Sequence, residues 1–467
     1  MRRLAFLVAF LALAPGVLAQ LPPGWSVAPS GLHVALDADP TAARIVWLMA
    51  SDAPGPSPAP VVQYGPTTAY GSVATGTSAR LQGEWSIVWS ARLAGLPPAT
   101  DIHYRVGSDL HGWTEDRVFT TPPIPGTDHF VVTAYGDQGS AYDRTTVAGS
   151  SVNGVGARYN ESDPTGKVVK AVLARNPDLH LHLGDVSYGA WDGWQLTTEP
   201  LASTVPYMAA IGNHDIDKTI DVENYVARLP MPSAPGEHHY AFTFGTARFI
   251  ALDSENACVR RVIPGATPMQ TGYTKCTDEA NDAQVEWIER ELAAARSDPA
   301  IKWVIPFFHR PMVSDGKHGP NAILNALWLP VFERHKPDLV LQGHDHLYER
   351  SKPLLDWKPH PDGIVYVVSG GAGRALYEFR NETPPAWEAA RARAFHYLSL
   401  AFDGDRLTVE AVDLDGKVLD AFTLESRASR AASRSGGADE DPKATPAGPV
   451  GFAALAILVA AWVARRA

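Results

Sequence analysis

Five short polar clusters follow five apolar runs in this chain. Tyr135 precedes Gly136-Asp137-Gln138-Gly139, and His182-Leu183 precede Gly184-Asp185-Val186-Ser187-Tyr188. Ile211 precedes Gly212-Asn213-His214-Asp215, Phe307-Phe308 precede His309, and Leu341-Gln342 precede Gly343-His344-Asp345-His346. Carboxylates, imidazoles, one amide and one phenol are the donor set that hard-to-borderline cations ask for. Two such cations, about 3.5–4 Å apart, clamp the attacking and leaving oxygens of an in-line displacement. Glycine just before a donor lets the chain turn sharply and the backbone come close. A lone GD or GNHD is a weak signal; five clusters in order, each ending a strand-like run, are a strong one.

The elements that must position these donors are read from periodicity. HFVVTAY, PDLHLHL, VPYMAAI, IKWVIPFF and PDLVLQ are apolar runs of strand length. Helical patterns separate several of them, at Asp282–Ser297 with Asp282 as its N-cap and at Asn321–His335. EHHYAFTFGTARFIALDS reads as a hairpin turning at Gly245-Thr246, and strands with DG turns close the region. In open α/β sheets, ligands bind outside the carboxyl ends of strands, so the five clusters are expected to converge. Upstream, from about Leu21 to Pro123, short alternating strands between Pro/Gly turns predict a small β-sandwich. Leu93–Gly107 (LAGLPPATDIHYRVG) resembles the signature of fibronectin type III-like domains. No donor cluster lies in that segment, so its expected role is a scaffold packed beside the catalytic part. The expected fold is thus an N-terminal all-β sandwich (residues 21–123) followed by an α/β domain over residues 127–425, a β-sandwich core flanked by helices.

With its motif blocks in this order, the chain resembles the calcineurin-like metallophosphoesterases and, among them, the purple acid phosphatases. Asp137-Gln138-Gly139 and Gly184-Asp185-Val186-Ser187-Tyr188 match that subgroup's DxG and GDxxY forms. The resemblance spans roughly residues 25 to 425. It implies that Asp137, Tyr188 and His346 bind a first metal, Fe(III) in the family. It implies that Asn213, His309 and His344 bind a second, divalent metal (Zn, Mn or Fe). Asp185 would bridge the two, and His214 would stand beside the phosphate and leaving group as catalytic residue. The implied activity is that of an exported acid phosphatase hydrolysing phosphate monoesters through a metal-held hydroxide. Fe(III) with a divalent ion carries five positive charges; two carboxylates, one phenolate and a hydroxide offset four, leaving an excess that suits an anionic ester. Alternatives are a phosphodiesterase acting on nucleotide or lipid headgroup esters and, from another class, a non-catalytic surface binding protein.

The chain departs from the family at two places. Pro306 replaces the usual valine three residues before His309, where a strand-end proline is tolerable. Gly212-Asn213-His214-Asp215 replaces the GNHE of many members, and Asp215 is not expected to be a ligand. His318 lies near the spacing of a substrate-binding histidine in plant-type members. His180 and His182 alternate on one run and are expected to pack, whereas His238-His239 could rim the site. Tyr348-Glu349-Arg350 matches the family's YER, where a structural role is expected.

Composition narrows the remaining classes. The 467 residues carry 40 basic against 51 acidic side chains, a net charge of −11 that argues against nucleic acid as the default partner. Hydrophobic residues reach 45% and charged ones 19%, which excludes wholesale disorder. With two cysteines there is no Cys-rich zinc module, so any metal is held by oxygen and imidazole. Cys258 and Cys276, in a loop-like stretch, are read as a disulfide.

The two ends read as addresses. Met1-Arg2-Arg3 followed by an apolar stretch and Val17-Leu18-Ala19 is a signal peptide cut after Ala19, so the body is expected to be exported. Residues 426–449 read as a disordered linker. Residues 450–467 form an apolar run ending in Arg465-Arg466, short of the ~20 residues that span a bilayer but similar to prokaryotic sorting tails. Secretion or cell-surface attachment through that tail is the expectation. Asn160 and Asn381 open glycosylation sequons that matter only in a glycosylating host.

Overall fold

The computed structural model describes residues 28–50, 59–81, 84, 86–141, 162–216, 219–255, 278–427 and 429–430. The signal peptide, Cys258, Cys276, Asn160, the linker beyond residue 430 and the apolar tail lie outside them. No described helix is long and apolar enough to cross a membrane.

The N-terminal part is the expected sandwich. One sheet runs Ser30–Leu36, Ala42–Ala50, Ser86–Ala94, Thr77–Arg80; the other joins Ser72–Thr75, Val61–Gly65 and Asp101–Ser108, with Arg117–Thr120 pairing the last. Alternation puts Val34, Ile45, Trp47, Trp89, Tyr104 and Phe119 into one core between them.

Two further sheets form the second part. The first is ordered Tyr207–Ala209, Leu179–His182, His129–Tyr135, His396–Asp403, Arg406–Asp413, Val418–Glu425. The second is ordered Tyr240–Phe244, Ala247–Ala251, Trp303–Phe308, Leu339–Gln342, Val365–Ser369, Tyr348–Ser351, Glu388–Ala392. Val132, Leu181 and Leu400 of the first share a core with Phe249, Ile305, Phe307 and Leu341 of the second. The opposite faces are covered as well. Helices α1 (Pro164–Leu173) and α2 (Trp191–Ala202) place Val168, Val172 and Trp194 against Tyr135 and Tyr207. The short α3 (Thr219–Arg228) adds Tyr225 to the same cluster. Helices α4 (Asp278–Ser297) and α5 (Ala322–His335) place Ile288, Leu292, Leu324 and Trp328 against Val304, Phe308 and Val340. Strands buried on both faces read as continuous apolar runs, which is why Trp303–Phe308 and Leu339–Gln342 lack alternation.

Three sequence expectations change. Helix α4 starts at Asp278, so Asp282 lies inside it and is not its N-cap. The Asp-Glu-Ala-Asn-Asp run contains no breaker, and acidic residues suit a helix N-terminus. Pro306 lies inside its strand, not at its end, opposite Ile250. The neighbouring strand Leu339–Gln342 pairs only with Phe307 and Phe308, so that ladder asks no N–H of residue 306. At the far end, Ser426 and Arg427 still belong to the body: Ser426 Oγ donates to Asp405 (2.7 Å) and Arg427 to the Pro337 carbonyl (3.0 Å).

The sandwich is bolted to the second part through α2. Gly31 N donates to Glu199 Oε2 (2.8 Å), Gln195 Nε2 to the Gly31 carbonyl (2.7 Å), and Tyr104 Oη to the Ser203 carbonyl (2.7 Å). His33 meets the Tyr207 carbonyl at 3.2 Å. Burial pushes His33 and His396, both fully enclosed, down to about 4. An unfolded chain takes up these protons near pH ~6.5, so it binds more protons than the native state between about 6.5 and 4. Their contribution to stability is whole above that window and is lost as pH falls through it. The urea midpoint is therefore expected to drop from pH ~7 to pH ~4.5, and replacing both residues by glutamine should shrink the drop. An equal drop in parent and variant would count against this assignment.

Candidate metal centre

The five clusters lie at the ends of five strands, as expected, but on two sheets: three follow strands of the first sheet and two follow strands of the second. Their donors fall into two groups. Tyr188 Oη lies 3.1 Å from Asp137 Oδ1 and 3.1 Å from His346 Nε2, and those two atoms are 3.3 Å apart. In the second group, His309 Nε2 lies 3.2 Å from Asp185 Oδ1, 3.3 Å from Asn213 Oδ1 and 3.1 Å from His344 Nδ1. Donor atoms of Asp185, His309 and His344 all fall within 4.8 Å of one another. Asp137 ties the groups together, since its Oδ2 accepts from His344 N at 2.8 Å. An ion bonded at about 2.0–2.2 Å holds neighbouring donors roughly 3 Å apart, so the spacings fit a cation in each group.

Backbone strain marks the same residues. Asp137, Asp185, Tyr188 and His344 all have positive φ, between 52° and 69°. Such conformations cost about 1–3 kcal/mol each and persist only where the surroundings impose them. Gly184 has a φ of +84°, and a Cβ there would meet the His309 ring at 2.8 Å. Only glycine permits that imidazole its place.

Groups behind the donors set their orientation. His309 Nδ1 lies 3.0 Å from the Leu183 carbonyl and His346 Nδ1 2.8 Å from the Ala375 carbonyl, so each Nδ1–H donates and leaves Nε2 facing the centre. Asp215 is not in either donor group; its carboxylate accepts from the N–H groups of Asp185, Val186 and Gly212 at 2.9–3.0 Å and clamps the Asp185 loop. Asp345 does the same for the His318 loop, accepting from Ser314 Oγ (2.6 Å) and His318 N (2.9 Å).

The electrostatics ask for positive charge. Burial would raise Asp185, but His309 and His214 outweigh it and hold the carboxyl well below the usual range. Burial likewise opposes a charge on His309, yet Asp185 and Asp137 raise it to about 10. Burial, Asp137 and Asp185 push the Tyr188 phenol well up, so a cation is what would draw its phenolate form. Burial, His309 and Arg310 push His344 well down, keeping that ring neutral.

His214 stands at the rim, its side chain 41% exposed. Its backbone N–H donates to Asp185 Oδ1 (2.8 Å) and its ring lies 4.4 Å from that of Tyr188. His318 is brought in as well: its ring lies 4.2 Å from the His344 ring, and burial with Lys317 and Arg310 pushes it down to about 4. The other histidines take structural places. His180 and His182 pack on Tyr135 and Tyr207, His238 pairs with Asp253 (3.1 Å), and His239 lies against Trp287. Tyr348 and Arg350 both reach Asp420 at 2.6 Å, joining the two sheets.

A sixth strand-end cluster escaped sequence reading. Asp253-Ser254-Glu255 follows Ala247–Ala251, and its Ser254 Oγ and Glu255 Oε2 receive Arg310 N (3.0 Å) and Arg310 Nε (2.7 Å). The apolar run before it resembles the other five, but no His or Asn marks it as a donor site.

Comparison with known proteins assigns this architecture. The calcineurin-like phosphoesterase family matches residues 100–348, more than half of the chain, which sets the class. The purple acid phosphatase N-terminal domain matches residues 29–121, and the iron/zinc purple acid phosphatase-like protein C family matches residues 363–421. The chain belongs to the calcineurin-like phosphoesterases, in their purple acid phosphatase branch. That fold implies a binuclear metal centre and phosphoester hydrolysis.

An uncharacterized Mycobacterium tuberculosis protein is 28% identical over 73% of this chain and 69% of its own. "Probable inactive purple acid phosphatase 27" of Arabidopsis thaliana is 29% identical over 72% of this chain and 57% of its own. Mouse "acid phosphatase type 7" is 24% identical over 89% and 94%. The purple acid phosphatase PPD1 of yellow lupin seeds superposes with a TM-score of 0.68 at 22% identity, covering 90% of this chain and 78% of that one, a likeness of fold.

Proposed function

We propose that the chain is an exported, metal-dependent phosphomonoesterase whose centre is held by Asp137, Tyr188 and His346 on one side and Asn213, His309 and His344 on the other, with Asp185 between. The observation that carries this reading is the pair of donor groups spaced at 3.1–3.3 Å, drawn from strands of two sheets. When bound, an Fe(III) and a divalent ion would supply a nucleophile below neutral pH and offset the charge of the phosphoryl group.

The chain's own residues do the rest. Asp137 and Asp185 hold the donor loops in register through the His344 and His214 backbone N–H groups. His214, rooted at Asp185 and open to solvent, holds the proton that the departing alkoxide takes, at Nε2. His318, against His344, forms the wall on which the phosphoryl oxygens rest.

Purified protein is expected to contain two metals per chain and to show a visible phenolate-to-iron band. It should hydrolyse p-nitrophenyl phosphate faster than bis-p-nitrophenyl phosphate, and dialysis against chelator should abolish turnover until metal is returned. Turnover indifferent to chelator would sink the proposal, and a faster bis-ester would turn it towards a diesterase. Export is read from residues 1–19; a mature protein beginning at Gln20 is its expected product.

A further inference from the structure

We propose that Arg310 grips the phosphoryl oxygens of the ester from the His344 side, and that Glu255 is the positioning residue that aims it. The inference rests on the phosphoesterase reading above and names a contact beyond the donor and histidine positions discussed there. Arg310 follows His309, whose ring is fixed by the Leu183 carbonyl, and its own N–H is fixed by Ser254 Oγ at 3.0 Å. Its Nε donates to Glu255 Oε2 at 2.7 Å, and its NH1 lies 3.2 Å from His344 Nε2. The guanidinium is therefore held at the flank of the centre.

A pocket opens at this spot, lined by Arg310, Pro311, His318, Gly319, Pro320, Asn321 and His344. Asn321 also caps α5, but its Oδ1 accepts the N–H groups of Ile323 and Leu324, so the helix end is already engaged. Among the described lining residues Arg310 alone carries a permanent charge, and its planar fork matches a phosphate better than an ammonium does. Glu255 is 1% exposed. Burying such a pair gains little stability over apolar packing of the same size, which points to a use for the charge it aims.

The test uses the full chain reconstituted with metal, in parent, Arg310→Gln, Arg310→Lys and Glu255→Gln forms. Metal content, calorimetric binding of orthophosphate, and KM and kcat for p-nitrophenyl phosphate are measured on each. Arg310→Gln is expected to weaken orthophosphate binding about tenfold or more and to raise KM, with metal content unchanged. Arg310→Lys should restore part of the loss. Glu255→Gln should weaken binding several-fold although the guanidinium remains. Orthophosphate affinity within about twofold of the parent in Arg310→Gln and Glu255→Gln overturns the inference. So does a loss of metal in Arg310→Gln whose refilling restores affinity, because Arg310 would then only hold His344. If Arg310→Gln does not fold, the lysine and Glu255 variants decide by the same measure. A metal-filled parent that binds orthophosphate but hydrolyses no ester refutes the phosphoesterase reading, not this contact.

Discussion

Asp185→Asn is expected to lower kcat/KM for p-nitrophenyl phosphate by about three orders of magnitude, with loss of bound metal. The carboxylate touches both His309 Nε2 and the His214 N–H, so it is a member of the second donor group and the anchor of His214. Metal charge supplies several kcal/mol of transition-state stabilisation, and each ~1.4 kcal/mol is tenfold in rate. Asparagine has the same shape and tolerates positive φ, so the +55° conformation at this position remains accessible. Because Asp185 and His309 stabilise each other's buried charge, the thermal midpoint of the metal-free variant is expected to fall. A variant with full metal and parental turnover would remove Asp185 from the centre.

His214→Ala should separate good from poor leaving groups. If the Nε2 proton goes to the departing oxygen, turnover of an alkyl phosphate such as glycerol phosphate should fall about 10²–10⁴-fold. Turnover of p-nitrophenyl phosphate should fall far less, since its phenolate leaves without a proton. Metal content should stay at the parental level, because the backbone N–H that His214 gives to Asp185 survives the substitution. Equal losses for both esters would instead make His214 a stabiliser of phosphoryl charge.

Much of this site was legible in one dimension. The strands Trp303–Phe308 and Leu339–Gln342 are short, doubly buried and apolar, so their ends could be read from hydropathy alone. Asn321 was legible as the start of a helix because capping is a contact of two or three residues. Asp282 was misread because a helix with several polar residues at its start gives no local mark of which one is first. The Asp215 clamp and the Glu255–Arg310 pair were not legible. Their partners lie 30 and 55 residues away, and a carboxylate that holds a loop looks the same in sequence as one that faces solvent.

The amino-acid sequence by itself determined which carboxylates, imidazoles, amide and phenol stand in the five clusters and that each cluster follows a strand, because residue type, strand periodicity and turn chemistry are local properties. It also determined, through its motif order, the family to which the chain belongs. The tertiary structure alone decided that three clusters come from one sheet and two from another. It decided that Asp137 and His344, 207 residues apart, share a hydrogen bond, and that four donors sit at positive φ. These depend on how the inner faces of two sheets, carrying Val132, Leu181, Ile305 and Leu341, pack into one core. Side-chain packing sets the distance between the sheets, and that distance brings the donor groups within reach of one another.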